Sequence, residues 1–248
     1  MGFALAALYA ARIPLILESV ITHERGRVEE AAALVHECRR RAGILHVFGA
    51  GHSQLVATDA TYRAASPAWA TGVLDPGLSV ARGALASSAA ESIAENAAPA
   101  LVNQRLSNRD ATIVVCNSGT TPVSVAWASA CAERGLPVIS VVSRQSLEYF
   151  RDRGRTSLEG VSGVLIDNHC PVGDAVIQEE QAARGVLIAG PSSTIINTFI
   201  LHWLLVHVVQ YAIDSGEEAE TFRSGHLEGA RTYNEALMET YRDRIKVY

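Results

Sequence analysis

Twice in this chain an apolar run breaks straight into small polar residues and then into a helix-forming stretch. That repeated junction limits the folds open to it. Ile113, Val114, Val115 and Cys116 give way to Asn117-Ser118-Gly119-Thr120-Thr121-Pro122, and an Ala-rich segment follows from Val123 to Arg134. Ile44-Leu45-His46-Val47-Phe48 ends in the same manner, in Gly49-Ala50-Gly51-His52-Ser53. Each junction reads as buried strand, polar loop and helix start. The backbone N–H groups at a helix start, with the side chains of Asn117, Ser118, Thr120 and Thr121, suit a phosphate or another compact anion. Two such strand ends in one chain predict a single crevice for a polar, phosphorylated small molecule.

The rest of the sequence fits around that pair. Strands are expected at 44–48, 71–74, 112–116, 138–142 and 164–167. Helices are expected at 53–64, 87–104, 122–134, 146–150 and 192–215, after a long helical segment at 3–42 in which Pro14 opens the second part. Short apolar strands alternating with helices predict an α/β fold, a parallel sheet covered on both faces. Ligands of such sheets bind beyond the carboxyl ends of the strands, where both polar loops lie. One domain is expected over 1–248, with an N-terminal helical segment at 1–43, a core at 44–215 and a tail at 216–248. The more polar tail reads as a solvated extension or a flap over a neighbouring site.

Composition removes several classes of function. The 248 residues are 48% hydrophobic with a net charge of -5, and Lys246 is the only lysine. Without a basic stripe, nucleic acid is not expected as a partner. Cys38, Cys116, Cys131 and Cys170 are scattered and form no CxxC pair. Disulfides and a structural metal are therefore not expected, and a reducing, cytoplasmic setting fits. The apolar stretch at 195–213 carries Asn197, His202, His207 and Gln210. It reads as a buried helix at a subunit interface, not as a membrane span, and predicts a homodimer or homotetramer.

The two polar loops, the order of elements and the long N-terminal helix resemble the SIS (sugar isomerase) domain. The chain is most similar to stand-alone bacterial SIS proteins of the phosphosugar-isomerase and phosphosugar-binding kind. The matching pieces are Phe48-Gly49-Ala50-Gly51-His52-Ser53, Tyr62-Arg63-Ala64, Asn117-Ser118-Gly119, Ile166-Asp167-Asn168 with Pro171, Gly173-Asp174-Ala175, and Gly190-Pro191-Ser192-Ser193-Thr194. They span about 44–195. The resemblance implies a three-layer, flavodoxin-like sandwich around a five-stranded parallel sheet, with helical additions at both ends. It implies a sugar-phosphate ligand, a phosphate loop at 117–121 with Ser53 on the opposite wall, no cofactor, and activities that range from aldose–ketose isomerisation to sugar sensing. In one respect the chain departs from the pattern. Several catalytic members carry a Glu in the helix after the first loop, and here that position falls at about Arg63, leaving Asp59 as the only carboxylate of that helix.

Isomerisation needs a base that moves a proton between adjacent carbons and an acid that serves the oxygens. Glu91 is a candidate base, on a helix face shared with Glu95; a solvated pair is the bland alternative. His52, in the first loop, either shuttles protons or shapes the loop. His226 lies in a Gly-flanked tail segment that reaches a partner's crevice or forms a surface loop. Gly51, Ser53, Ser87, Arg63, Asn168 and Asp174 join Asn117, Ser118, Thr120 and Thr121 as candidate substrate contacts. Arg63 alternatively pairs with a surface carboxylate, and Asp174 alternatively caps a turn. A phosphosugar isomerase is the favoured function, with a non-catalytic phosphosugar sensor as the alternative. An NAD-dependent oxidoreductase stands third, because Gly49-Ala50-Gly51 begins the dinucleotide fingerprint but Gln54 holds its last position.

Overall fold

The computed structural model describes residues 4–181 and 185–248. Five parallel strands form the central sheet: β1 (Leu45–Gly49), β2 (Ala70–Gly72), β3 (Ala111–Val115), β4 (Val138–Val142) and β5 (Val164–Asp167), in the order β2-β1-β3-β4-β5. The order reverses direction at β1 and β3, so the crevice of this doubly wound sheet opens between their carboxyl ends. β1, β3 and β4 are buried along their whole length, which is why they read as apolar runs and not as alternating ones.

Helices cover both faces. On one lie α2 (Arg25–Arg40), α3 (Gln54–Asp59) and α8 (Ser193–Asp214), which bury Val28, Val35, Val56, Ile200 and Leu204 against Val47, Ile113 and Ile139. On the other lies α6 (Pro122–Glu133), whose Trp127 stacks on Phe48 with ring centroids 4.7 Å apart. The indole Nε1 donates to Thr112 Oγ1 at 3.0 Å, so the large apolar ring keeps its one polar atom paired. With α4 (Ala84–Glu91), α5 (Ala97–Asn103) and α7 (Arg144–Arg151) this completes the three layers.

Four details differ from the sequence reading. Phe3 lies outside the described residues. The N-terminal segment is two helices, α1 (Ala4–His23) and α2, and Pro14 sits inside α1. The break falls at Glu24, whose carboxylate accepts from Asp167 N at 3.2 Å. The helix expected at 87–104 is α4 and α5, separated at Ile93 by an extended residue and a 3-10 turn. Ser92 Oγ donates back to Ser88 O and Asn96 Nδ2 donates to Ala90 O, so side chains close α4 there. A hairpin, β6 (Ala175–Gln181) and β7 (Gly185–Pro191), stands outside the main sheet. The tail is docked, not loose: α9 (Ala230–Tyr241) follows a segment that bridges to Pro67, and Phe222, Ala230, Asn234 and Ile245 are buried.

α1 and α8 are each long and apolar enough to cross a membrane. α8 instead buries one face in the core, and Asn197 and His202 both have protein partners.

Candidate functional site

The carboxyl ends of β1 and β3 open into a cleft of about 660 Å3. The first polar loop forms one wall. Gly49 leaves no room for a Cβ, which would lie 2.3 Å from Ser53 O, and so permits the tight turn into α3. Gly51 adopts φ +59°, and a Cβ there would lie 2.6 Å from Glu91 Oε2. Gly49 is thus required by the close approach of Ser53 O, and Gly51 by its left-handed backbone, over which the Glu91 carboxylate leans. The space above this Gly-x-Gly holds a side chain, which gives the motif a reason other than a dinucleotide.

The second polar loop forms the floor. Gly119, at φ +65°, lies against Leu147, and its N–H bonds Cys116 O at 2.9 Å. Ser118 Oγ accepts from Thr120 N at 3.2 Å and lies 3.2 Å from Thr121 Oγ1. Pro122 takes the first position of α6, and no side chain caps that helix. The partial positive charge of the α6 N-terminus therefore faces the cleft with hydroxyls around it.

α4 covers the cleft and contributes Ser87, Ser88 and Glu91. Gly83, at φ +102° and ψ 147°, starts this helix. Burial pushes the Glu91 carboxyl above its ordinary value, and the nearby His52 offsets this in part. A carboxylate partly desolvated against hydroxyls is a stronger base than one in water.

Asp174, at φ +63°, sits on the far wall. Its carboxylate accepts from Ser193 N at 2.7 Å, Ser192 N at 3.1 Å, Ser192 Oγ at 3.0 Å and Ser193 Oγ at 2.8 Å. It is the capping anion of α8, so that helix end is already occupied. Of the two long helices whose starts border the cleft, α6 alone offers its N-terminus to an external anion. Among the described residues no Arg or Lys lines the cleft, and His52, Glu91 and Asp174 line it.

Gly51, His52, Ser53, Ser87, Glu91, Asn117, Ser118, Thr121 and Asp174 are thus gathered in one cleft. Four expected contacts lie elsewhere. Thr120 is buried, and it lines a neighbouring hollow with Ser92, Pro122 and Arg155. Asn168 is fully buried behind Asn117 and donates to its Oδ1 at 2.9 Å. Arg63 is exposed and paired with Asp59, whose other oxygen contacts His202 Nε2 at 2.5 Å. Although burial pushes the Asp59 carboxyl up, the hydrogen bonds from His202 and Arg63 prevail and hold it below its ordinary value. Arg63 therefore serves a surface ion pair. His226 is exposed on the tail and does not line the cleft of its own chain. Asp167 bonds Arg144 N and His169 N, as a loop-shaping group. Among the described residues there is no group of three or more His, Cys, Asp or Glu arranged to hold a metal ion.

Sequence reasoning missed Ser88, Ser124, Ser146, Phe150 and Ser193, which also line the cleft. Ser146 and Ser193 each carried a signal, because both open helices that follow a strand.

Comparison with known proteins agrees with this architecture. A family model described as the SIS domain matches residues 8–143, more than half of the chain. A UPF0309 protein of Geobacillus kaustophilus is 31% identical over 245 residues, covering 96% of this chain and 95% of that protein. Among solved structures, a phosphoheptose isomerase from Francisella tularensis superposes with a TM-score of 0.60 at 13% identity, over 85% of this chain and 99% of its own. The Vibrio vulnificus NanR protein complexed with ManNAc-6P superposes with a TM-score of 0.50 at 15% identity, over 100% of this chain and 72% of its own. The Gly-x-Gly turn under Glu91, the hydroxyl-rich floor at α6 and the β2-β1-β3-β4-β5 sheet are features of a chain that belongs to the SIS domain family.

Proposed function

We propose that this cleft binds a phosphorylated sugar and isomerises it between aldose and ketose forms. The phosphate sits at the α6 N-terminus against Ser118 and Thr121, where backbone dipoles and hydroxyls hold it. A cleft of this size takes an open-chain sugar phosphate whole. Glu91 removes the proton from the carbon beside the carbonyl and returns it to the neighbouring carbon. His52 moves the accompanying proton between the two oxygens. The observation that carries this reading is the half-buried Glu91 carboxylate over Gly51, with its basicity raised by burial and facing a floor built to hold an anion.

NMR of each sugar phosphate in deuterated water tests it. Deuterium should enter the substrate beside the carbonyl with the wild type and not with Glu91→Gln, which should still bind. Exchange retained in Glu91→Gln would remove Glu91 from the mechanism.

A second reading is a non-catalytic phosphosugar sensor. It is favoured by one observation: the helix after the first loop ends in Asp59, which pairs with Arg63 just beyond it, and carries no Glu. The bound sugar phosphate of the NanR neighbour is consistent with it. Binding by the panel without any deuterium entry would select this reading.

The exposed face of α8 supports a homodimer. Ile195, Val206 and Ile213 are exposed on it, and Leu55 of α3 is exposed as well. An apolar stripe of this kind on a half-buried helix suits a second copy of the chain.

A further inference from the structure

Behind the cleft stand two buried amides that the proposed chemistry leaves unused. Asn168 follows β5 and has no exposed surface; Asn197 lies in the second turn of α8 and is 2% exposed. Asn168 Oδ1 accepts from Cys170 N at 2.9 Å. A backbone N–H can only donate, so the oxygen of Asn168 must be on that side and its Nδ2 on the other. Nδ2 donates one hydrogen to Asn117 Oδ1 at 2.9 Å and the second to Asn197 Oδ1 at 2.7 Å. Asn168 presents only donors to both neighbours, so both must turn oxygen towards it.

For Asn117 the consequence reaches the ligand. Its oxygen is held inward, and its Nδ2 makes no hydrogen bond with any described residue. Asn117 lines the cleft beside Ser118 and Thr121. We propose that Asn168, braced by Asn197, is a positioning residue that fixes the Asn117 amide with its donor end towards the ligand. The group seated at Asn117 Nδ2 is then one that accepts a hydrogen bond, as a phosphate oxygen does. This rests on the anion-binding reading of the cleft. The arrangement also explains why polar amides occupy a site that apolar residues would fill more cheaply: with the oxygen of Asn168 held by Cys170 N and both its amide hydrogens used, one orientation of Asn117 is specified.

The test uses the full chain, inorganic phosphate as probe, and two readouts. Phosphate affinity is measured by phosphorus NMR, and the side-chain amide pair of Asn117 is followed by proton–nitrogen NMR, assigned by its loss in Asn117→Ser. Asn168→Asp sets oxygens against Asn117 Oδ1 and turns the amide around. Asn168→Leu keeps the branching at Cγ and leaves the Asn117 amide free. Asn168→Asp should weaken phosphate binding by about tenfold or more and shift the Asn117 pair, because one hydrogen bond to a charged group is lost and an oxygen replaces the donor. Asn168→Leu should weaken binding less, whatever the order of the melting temperatures. In an Asn117→Ser background neither substitution should change affinity, since both act through Asn117.

Losses that follow melting temperature alone, or equal losses in the Asn117→Ser background, would overturn the proposal. So would an unshifted amide pair in folded Asn168→Asp. If Asn168→Asp does not fold, Asn168→Leu decides by the same cycle. If the wild type does not take phosphate, the anion reading of the cleft fails by itself, and the amide spectrum still decides whether Asn168 orients Asn117.

Discussion

The two ends of the central sheet are built from the same strands and use opposite chemistry. At the amino end, charges are paired and closed in. Asp110, just before β3, has no exposed surface and accepts from Ile44 N, Ser107 N and Arg244 Nη2, with His46 Nε2 at 3.4 Å. Arg39 bonds Glu217 and Glu220 nearby, and Tyr241 Oη donates to Glu220. These contacts fasten the tail to the body. At the carboxyl end, the cleft is lined by hydroxyls, an uncapped helix and the carboxylate of Glu91, which makes no hydrogen bond with any described residue. One end pairs its carboxylates within the chain, and the other leaves donors and a base for something else. The difference separates stability from function: substitutions at the amino end should unfold the chain without selective loss of binding, and those at the carboxyl end should do the reverse.

The largest effect is expected at Asp110. Asp110→Ala leaves Arg244 and buried N–H groups unpaired, and urea unfolding should show a loss of about 3–5 kcal/mol. The sign of its pH dependence follows from its partners. Burial pushes the Asp110 carboxyl up, but hydrogen bonds from His46, Ile44 and Arg244 prevail and hold it below its ordinary value. Its contribution is therefore fully present above the unfolded carboxylate range and is lost as pH falls through the folded value. The gap between wild type and Asp110→Asn should close in acid. A phosphate affinity that fell in the folded Asp110 variants would break the separation.

The next effect lies in the cleft. Ser118→Ala with Thr121→Ala should weaken phosphate or sugar-phosphate binding at least about tenfold, each lost bond being to a charged group. The melting temperature should stay within about 2 °C of wild type, as for substitutions outside the core. A large thermal loss would show that the loop is structural first.

Glu91→Gln should have a smaller effect, of opposite sign on stability. Burial raises the folded value of Glu91, so its charged form costs stability once pH rises above the ordinary carboxylate range, and the cost is absent below it. The variant should be slightly more stable than wild type near neutral pH, with the advantage vanishing in acid. Pairwise melting curves across pH read this directly.

Arg63→Ala should do least. Its pair with Asp59 is half-exposed, and loss of it should cost under about 1 kcal/mol. Phosphate affinity should not change, which separates Arg63 from the cleft.

The sheet was legible because its strands are buried on both faces and so stand out as apolar runs between helices. The hairpin β6–β7 was not. β7 is exposed or half-exposed along its length, so no alternation of burial marks it as a strand. The break between α4 and α5 depends on the side-chain bonds of Ser92 and Asn96, which propensity does not record. In the cleft, loop residues at strand ends were readable from position alone. The separation of Ser118 and Thr121 from Thr120, two neighbours with similar side chains, depends on the turn at Gly119. Asn168 and Asp174 were recognised as polar strand-end residues, but their roles depend on the start of α8, which is distant in sequence.

The most direct test of the central claim is a calorimetric titration of a sugar-phosphate panel into the wild type and the Ser118→Ala, Thr121→Ala double variant. The account predicts that at least one sugar phosphate binds the wild type, that inorganic phosphate competes with it, and that the double variant loses at least about tenfold in affinity. Equal affinity in the two proteins, or binding of NAD(H) with no sugar phosphate, would contradict it.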